Sequence, residues 1–225
     1  MEPRIIFEDE WICVIDKPAG LVTNDSSTSR NTLQSWFAKK YGIEREETEF
    51  GSKQGLVHRL DKDTSGVMVL AKTQSAYEIL KKQFLERKVV KKYIALVHGR
   101  FNESEGSVAL PIERNPKDKF KFAIGRDLSR MAITDWRVLE QRGDYTLVEL
   151  TPHTGRTHQI RVHMKHLGHP VVADPIYGGK RYKVDIKWCP RLFLHAASLE
   201  FAHPQSRERV EFEAELPGEL AKLVH

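Results

Sequence analysis

Two carboxylates stand among cations in the segment Leu56–Gly66, LVHRLDKDTSG. Asp61 and Asp63 are flanked by Arg59 and Lys62, and the apolar run VMVLA follows at once. A carboxylate fixed at the start of a rigid strand suits a nucleophile or a general base. Neighbouring cations favour its ionised form. The residues fit equally well a turn in which an aspartate accepts backbone N–H groups, so both interpretations stay open.

A second group of candidate residues lies in TPHTGRTHQIRVHM, which sets Arg156 between two threonines ahead of a predicted helix. Backbone N–H groups at a helix start, beside arginine and threonine, can bind an anion. Arg156 can equally pair with a carboxylate such as Asp61. An ordinary basic helix face carrying His158, Arg161 and His163 is the structural alternative.

Tyr93 follows two lysines in VVKKYIALVHG. An aromatic ring beside cations can stack on a nucleic-acid base while the lysines contact phosphates. A half-buried strand tyrosine with a packing role fits the same pattern.

The distribution of charge favours the nucleic-acid interpretation. Residues 152–195 carry eight Lys and Arg against two Asp, a net charge of +6, whereas the net charge of the whole chain is +5. Such a surface suggests a polyanionic partner, with nucleic acid first, although a solvated basic face also fits.

Several strands must position these residues. The apolar patterns predict strands at WICVIDKPAG, GVMVLAKT and VVKKYIALVHG, the second apolar on both faces and therefore central. MAITDWRVLEQRGDYTLVELTP predicts a hairpin that turns at Gly143-Asp144, and RLFLHAASLEFAHP is expected to pair with RVEFEAELP. Adjacent strands with inserted helices indicate an α+β fold with a largely antiparallel or mixed sheet.

Three helices are predicted, at NTLQSWFAKKYG, TQSAYEILKKQFLERK and RTHQIRVHMKHLGHP. Asn31 is the expected N-cap of the first, and Gly168 and Pro170 end the third. Two inward faces are expected, formed by Leu33, Trp36 and Phe37 in the first helix and by Ala76, Ile79, Leu80 and Phe84 in the second. EREETE is expected to be an exposed loop.

Composition and simple motifs argue against several other classes of protein. No apolar run is long enough to cross a membrane, and the start MEPRIIFEDEW lacks a secretory leader. Two distant cysteines without a CxxC spacing indicate a reduced, cytoplasmic protein. No glycine fingerprint for a dinucleotide or a P-loop is present.

The motifs together resemble one known family. GLVHRLDKDTSGVMVLAKT resembles the signature motif of the RluA family of pseudouridine synthases, and IDKPAGLVT its first motif. VVKKYIALVHG is similar to the tyrosine-bearing strand of that family. TGRTHQIRVHMKHLGHPVVADPIYGG and LFLHAASLEFAHP resemble its C-terminal motifs. The resemblance runs from about residue 12 to residue 204 and so covers most of the chain.

The resemblance implies a single catalytic domain over residues 1–225, with a mixed, mostly antiparallel sheet, flanking helices and a central cleft. It implies isomerisation of uridine to pseudouridine in ribosomal or transfer RNA, without a cofactor or a metal. Asp61 matches the essential catalytic aspartate, Tyr93 the active-site tyrosine and Arg156 the arginine that pairs with the aspartate. Whether the aspartate attacks the sugar or abstracts a proton from it stays open.

Further residues are assigned to substrate binding by the same resemblance. Arg59 matches the residue that helps displace the target base, and Leu194 an apolar residue that lines the uracil pocket. Asp63 matches no catalytic position. The remaining residues assigned to substrate binding adjoin these motifs: His58, Leu60, Thr64, Thr157 and His158. We expect the cations of residues 81–92 and 152–195 to hold phosphates, which makes binding salt-dependent.

Many relatives carry a small extra RNA-binding domain before the first motif. That motif begins here about a dozen residues after Met1, so the domain is expected to be absent and RNA affinity to come from a monomeric catalytic domain. Two alternatives remain. A metal-dependent nuclease would need several carboxylates together, and an inactive RNA-binding module would not need Asp61. The segment KVDIKWCPR is interpreted as a lineage-specific loop without an assigned function.

Overall fold

The computed structural model describes residues 2–25, 31–118 and 120–224. The chain forms two compact units, Met1–Val90 with Ala196–Glu215 and Lys91–His195 with Leu216–His225. One catalytic domain can contain two such units. The division therefore does not contradict the single domain expected over residues 1–225, which stays a prediction. In the described part of the chain, the strands and α-helices are, in order, β1 (Arg4–Glu8), β2 (Ile12–Lys17), α1 (Leu33–Tyr41), α2 (Glu49–Lys53), β3 (Ser65–Ala71), α3 (Gln74–Leu85), β4 (Val90–His98), β5 (Glu105–Arg114), β6 (Phe122–Ile124), β7 (Met131–Arg142), β8 (Tyr145–Pro152), α4 (Gln159–His166), α5 (Tyr182–Asp185), β9 (Leu194–Ala202), β10 (Arg209–Glu213) and α6 (Gly218–Ala221).

The first unit is built around a buried strand. Its strands lie in the order β1-β2-β3-β9, with β10 on β9. The pairs β1/β2, β2/β3 and β9/β10 are antiparallel. All seven residues of β3 are buried, which confirms the prediction of a central strand that is apolar on both faces. The pairing of β9 with β10 is confirmed as well.

The helices of the first unit begin close to where the sequence predicts. Thr32, and not Asn31, is the N-cap of α1, because its side chain accepts from the Ser35 N–H in a capping box. In α1 Leu33 and Phe37 are buried as expected, while Trp36 is only half-buried. Residues 44–49 are exposed as expected, but the loop ends one residue early, because Glu49 begins α2.

The inward face of α3 is partly different from the prediction. Ala76 and Leu80 are buried, as the sequence predicts. Tyr77 and Gln83 are buried too, whereas the expected Ile79 and Phe84 are half-buried. The buried face of α3 is therefore rotated slightly about the helix axis, relative to the face that the sequence predicts.

The second unit contains the strands β4-β8-β7-β5-β6 in that order. All four neighbouring pairs are antiparallel. The hairpin between β7 and β8 turns at Gly143-Asp144, as predicted. Neither β5 nor β6 was predicted from the sequence. Together with the helices, these strands confirm the α+β class with mostly antiparallel pairing, while the expected cleft stays a prediction.

Two segments of the second unit differ from expectation. The helix expected from Arg156 begins only at Gln159, because His158 has a left-handed backbone with φ of 57°. The segment KVDIKWCPR is not a loose loop. It contains the end of α5, where the buried Asp185 carboxylate accepts from the Ala173 N–H at 3.0 Å and bonds His98 Nε2 at 2.9 Å.

Gly66, at the start of β3, has no room for a side chain. Its φ is +121°, and an added Cβ would lie 2.2 Å from the carbonyl oxygen of Ala196. We expect Gly66→Ala to lower the free energy of unfolding by more than about 2 kcal/mol, because backbone rather than a flexible side chain must move. Chemical denaturation measures this.

Gly42→Ala is the matched control for Gly66. Gly42 also has a positive φ, +66°, but nothing lies within 4 Å of an added Cβ. We expect it to cost about 1 kcal/mol from backbone conformation alone. Equal losses in the two variants would contradict the close approach of β3 and β9.

Candidate active site

Asp61 lies in a tight turn that leads into β3 in the first unit. The Thr64 N–H donates to the carbonyl oxygen of Asp61 at 3.2 Å. The Asp61 side chain is half-buried, whereas Arg59 beside it is exposed. The Asp61 backbone therefore closes a turn, and both interpretations of its carboxylate stay predictions.

A buried lysine holds this turn. Lys17, at the end of β2, is fully buried. Its Nζ donates to the carbonyl oxygens of Pro18, Leu21 and Lys62 at 2.9, 2.9 and 3.1 Å. A buried ammonium is costly unless it is hydrogen-bonded. The carbonyl oxygens around Lys17 Nζ therefore link the turn after β2 to the residue that follows Asp61.

The expected substrate-binding residues of this unit differ in accessibility. His58 Nε2 accepts from the Val69 N–H at 3.1 Å, and its ring stacks on Phe84 with centroids 4.6 Å apart. Leu60 and Thr64 are buried. His58 thus supports the buried strand, and its role toward substrate, like those of Leu60 and Thr64, stays a prediction.

Arg156 lies in the loop between β8 and α4 in the second unit. Its side chain is exposed, and its Nη2 donates to the carbonyl oxygen of Ser129 at 3.0 Å. Thr157 is half-buried. His158 Nδ1 bonds the hydroxyl of Tyr177 at 2.9 Å. The tyrosine supports the unusual backbone of His158, and the proposed substrate contacts of Thr157 and His158 stay predictions.

Tyr93 and Leu194 meet in one apolar cluster of the second unit. Tyr93 pairs with Leu150 across β4 and β8. It is half-buried and packs against the core cluster that contains Leu150 and the buried Leu194. This arrangement gives an aromatic ring with an apolar support, which is what stacking on a planar base requires.

Several cations that were expected to contact phosphates form ion pairs within the protein. Arg161 is buried and bonds the Asp174 carboxylate at two points, 2.7 and 2.8 Å. Lys81 pairs with Glu49, and Lys88 pairs with a glutamate at 2.7 Å. The expectation was therefore wrong for Arg161, because its guanidinium forms a buried ion pair.

Lys91 also departs from the expected phosphate contact. Burial lowers the pKa of its amino group to about 8. The Nζ donates to the carbonyl oxygen of Thr154 at 3.3 Å. Lys91 thus supports the loop that carries Arg156 rather than facing a phosphate.

The candidate residues are divided between the units. Asp61 and Arg59 lie in the first unit, and Tyr93, Arg156 and Leu194 lie in the second. Tyr93 and Leu194 share one apolar cluster. The pairing of Asp61 with Arg156 stays a prediction.

Comparison with known proteins decides the family. The model of the RNA pseudouridylate synthase family matches residues 12–166, more than half of the chain. The chain belongs to this family. The resemblance to RluA-type synthases is thereby confirmed, and the protein is an RNA pseudouridine synthase, an isomerase.

Similar relatives cover the whole chain. An uncharacterized RNA pseudouridine synthase of Bacillus subtilis is 40% identical, and the match covers 100% of this chain and 72% of that protein. The ribosomal large subunit pseudouridine synthase D of Pseudomonas aeruginosa is 39% identical over 100% of this chain and 71% of its own. The solved structure of human RNA pseudouridylate synthase domain containing 1 is 30% identical, with a TM-score of 0.75, and covers 96% of this chain and 84% of its own.

The described residues of this synthase contain neither a cluster of metal ligands nor a membrane-spanning helix. In residues 2–25, 31–118 and 120–224, no group of three or more His, Cys, Asp or Glu side chains is arranged to hold a metal ion. In the same ranges no helix is long and apolar enough to cross a membrane. The expected lack of a metal and a cofactor, the monomeric state and the cytoplasmic location stay predictions.

Sequence reasoning about this synthase missed the residues that hold the site in place. Lys17 lies within the motif IDKPAGLVT but was assigned no role, and Gln159 and Tyr177 were likewise unassigned. A signal existed for Lys17, because a lysine that ends an otherwise apolar strand is rarely buried unless it is paired. No local pattern distinguishes Tyr177, since its partner His158 lies on another segment.

His163 gives this synthase a predictable pH dependence. The side chain is fully buried, and burial lowers its pKa to about 4 from 6.5. Between these values the unfolded chain binds a proton that the folded chain does not, so the contribution of His163 to stability falls as the pH falls and levels off below pH 4. We expect His163→Gln to remove up to about 3 kcal/mol of this dependence. Unfolding in urea at several pH values measures it.

His166→Gln is the matched control, because His166 lies on the same helix and is exposed. We expect it to keep most of the wild-type dependence between pH 6.5 and pH 4. The interpretation of His163 fails if its replacement leaves the slope of stability against pH unchanged.

Proposed function

We propose that this chain isomerises uridine in the RNA of the large ribosomal subunit to pseudouridine, with Asp61 as the essential catalytic residue. One observation carries the proposal. The segment matched by the family model, residues 12–166, includes Asp61, Tyr93 and Arg156. Relatives about 40% identical are named ribosomal large subunit pseudouridine synthases, which favours ribosomal over transfer RNA. A cytoplasmic, monomeric enzyme is part of the same proposal.

The reaction is a balanced rearrangement. The bond between N1 and C1′ breaks, the base turns, and a bond between C5 and C1′ forms. The C5 carbon loses a proton and N1 gains one, so no electron is transferred and the mass is unchanged. The Asp61 carboxylate attacks the sugar or abstracts a proton from it, and both routes require the ionised form. Arg156 is proposed to take part in the same reaction, as the resemblance to the family implies.

Tyr93 is proposed to hold the detached base. The apolar cluster behind it, which contains Leu150 and Leu194, supports a ring in a fixed orientation. The phenol then helps to remove the C5 proton, directly or through a water molecule. Leu194 is proposed to contribute an apolar wall against the uracil.

Arg59 is proposed to assist extrusion of the target nucleotide. Its side chain is exposed while the flanking His58 and Leu60 are partly or fully buried. Moving a uridine out of a stack costs a few kcal/mol, and least where the RNA is already single-stranded. A long cation beside Asp61 in sequence can occupy the vacated space and contact phosphates.

A basic segment of the second unit is proposed to bind RNA. Residues 114–130 contain six Lys and Arg against two Asp. Within its described part, Phe120 is 86% exposed and Leu128 is 73% exposed. Exposed apolar side chains among cations suit contact with unstacked bases and phosphates. Ser129 of this segment accepts from Arg156, which brings the proposed RNA contact to the proposed catalytic arginine.

Replacing the exposed apolar side chains of the basic segment tests this contact. We expect Phe120→Ala with Leu128→Ala to weaken RNA binding by about fivefold or more, because stacking contributes ~1–3 kcal/mol per base. The rate at saturating RNA should change little. Filter binding and turnover with a large-subunit transcript measure both quantities.

Leu139→Ala is the matched control for Leu128, because Leu139 is 43% exposed and lies on β7, outside the segments proposed to contact RNA. We expect it to leave RNA affinity unchanged. Equal affinity in the wild type and the double variant would remove the basic segment from the proposed interface.

Replacing Asp61 tests its catalytic role. We expect Asp61→Ala to abolish turnover while RNA affinity stays within about tenfold, ~1.4 kcal/mol, because phosphate contacts dominate binding. The assay measures tritium released from C5-labelled uridine, since the rearrangement frees that hydrogen.

Asp63→Ala removes the same charge from the same loop and serves as the control. We expect its turnover to stay close to that of the wild type. Retained turnover in Asp61→Ala, or a hundredfold loss of its RNA affinity, would contradict the proposed role.

A further inference from the structure

The loop that carries Arg156 lacks regular structure of its own. Residues 153–158 lie between β8 and α4, and Gly155 precedes the arginine directly. An exposed arginine in such a loop loses conformational freedom only if other groups hold its backbone. A side chain that bonds the Arg156 backbone would therefore limit where the arginine lies.

Gln159 holds the backbone of Arg156 from both sides. Its side-chain Oε1 accepts from the Arg156 N–H at 3.0 Å, and its own backbone N–H donates to the Arg156 carbonyl oxygen at 3.1 Å. Oε1 also accepts from the Thr154 hydroxyl at 2.7 Å. Two residues of the loop are thus bound to one buried amide.

The other end of the amide is attached to β7. Nε2 donates to the Ile133 carbonyl oxygen and to the Thr134 hydroxyl, each at 2.9 Å. An amide has two acceptor sites and two donor hydrogens, and all four are used. Because the Ile133 carbonyl can only accept, the amide has a single satisfactory orientation. Hydrogen bonds to the Gln159 amide therefore hold the Arg156 loop at a defined position on β7.

The guanidinium of Arg156 has a separate anchor. Its Nη2 donates to the carbonyl oxygen of Ser129. The backbone position comes from Gln159, and the direction of the side chain comes from Ser129. Loss of the Gln159 side-chain hydrogen bonds would therefore displace Arg156 without removing its charge.

We propose that Gln159 is the positioning residue for Arg156, and that its buried amide sets where the arginine's charge lies during catalysis. This inference rests on the proposed function of Arg156. It assigns to Gln159 an effect on the rate at saturating RNA rather than on RNA binding, because the amide is buried and does not face solvent.

Gln159→Met removes all four side-chain hydrogen bonds with little change in volume. We expect the single-turnover rate of tritium release to fall at least tenfold, with RNA affinity within about twofold of the wild type. In an Arg156→Ala background the same change should lower the rate less than twofold further. A rate close to the wild type, or an equal loss in both backgrounds, would overturn the inference.

Gln83→Met is the matched control. Gln83 is also a buried glutamine whose amide bonds backbone, donating to the Ala202 carbonyl oxygen and accepting from the Ala202 N–H, each at 2.8 Å. We expect both variants to lower the melting temperature but only Gln159→Met to lower the rate. Equal effects of the two on the rate would mean that Gln159 acts through stability alone.

Hydrogen exchange at the Arg156 amide separates this inference from the proposed function. We expect exchange at least tenfold faster in Gln159→Met than in the wild type, and unchanged in Gln83→Met. This readout requires no turnover, so a wild type inactive on the RNA tested would contradict the proposed function and leave the positioning result intact. Unchanged exchange would overturn the positioning role whatever the activity.

Discussion

The buried ammonium of Lys17 is the constraint on which the arrangement of the first unit depends. Removing such a charge from water costs several kcal/mol, and three carbonyl oxygens offset that cost. Two of these oxygens follow β2 in sequence, and the third belongs to Lys62, next to Asp61. These three hydrogen bonds form together when the turn after β2 and the loop before β3 are both in place. Folding of the β2–β3 pair thereby fixes the backbone of the candidate catalytic aspartate.

The second unit positions its candidate residues largely with neutral groups. Hydrogen bonds run from the Gln159 amide through the Thr134 hydroxyl to His163 Nδ1, and burial keeps the pKa of His163 low. The buried pair of Arg161 and Asp174 adds rigidity nearby, because Asp174 also accepts from the Tyr177 N–H. The Gln159 amide and the Thr134 hydroxyl thus form an uncharged network behind the loop that carries Arg156.

Regular elements were the most predictable part of the structure. The strands β3 and β4 and the β7–β8 hairpin follow from apolar runs and turn residues, which act locally. Family motifs in the sequence identified the enzyme class, because the spacing of HRLD, TSG and GRTHQIR is specific. Asp61 and Arg156 were located by the same motifs, although their roles rest on the resemblance.

What the sequence could not supply depends on contacts distant in the chain. The start of α4 at Gln159 follows from the left-handed His158, which Tyr177 holds from 19 residues away. Arg161 was expected to face phosphates, yet it is buried against Asp174, 13 residues later. The roles of Lys17 and Gln159 appear only when their carbonyl and hydroxyl partners are assembled. Periodicity and motif spacing carry no information about such partners.

The central claim is that this chain converts uridine to pseudouridine in large-subunit ribosomal RNA. The most direct measurement supplies the wild-type protein with C5-tritiated transcripts of large-subunit ribosomal RNA and, separately, of bulk transfer RNA, and follows tritium released to water. We predict release from the ribosomal transcript at a stoichiometry of one or a few uridines per molecule. Release from transfer RNA alone would contradict the substrate class, and release from neither RNA would contradict the claim itself.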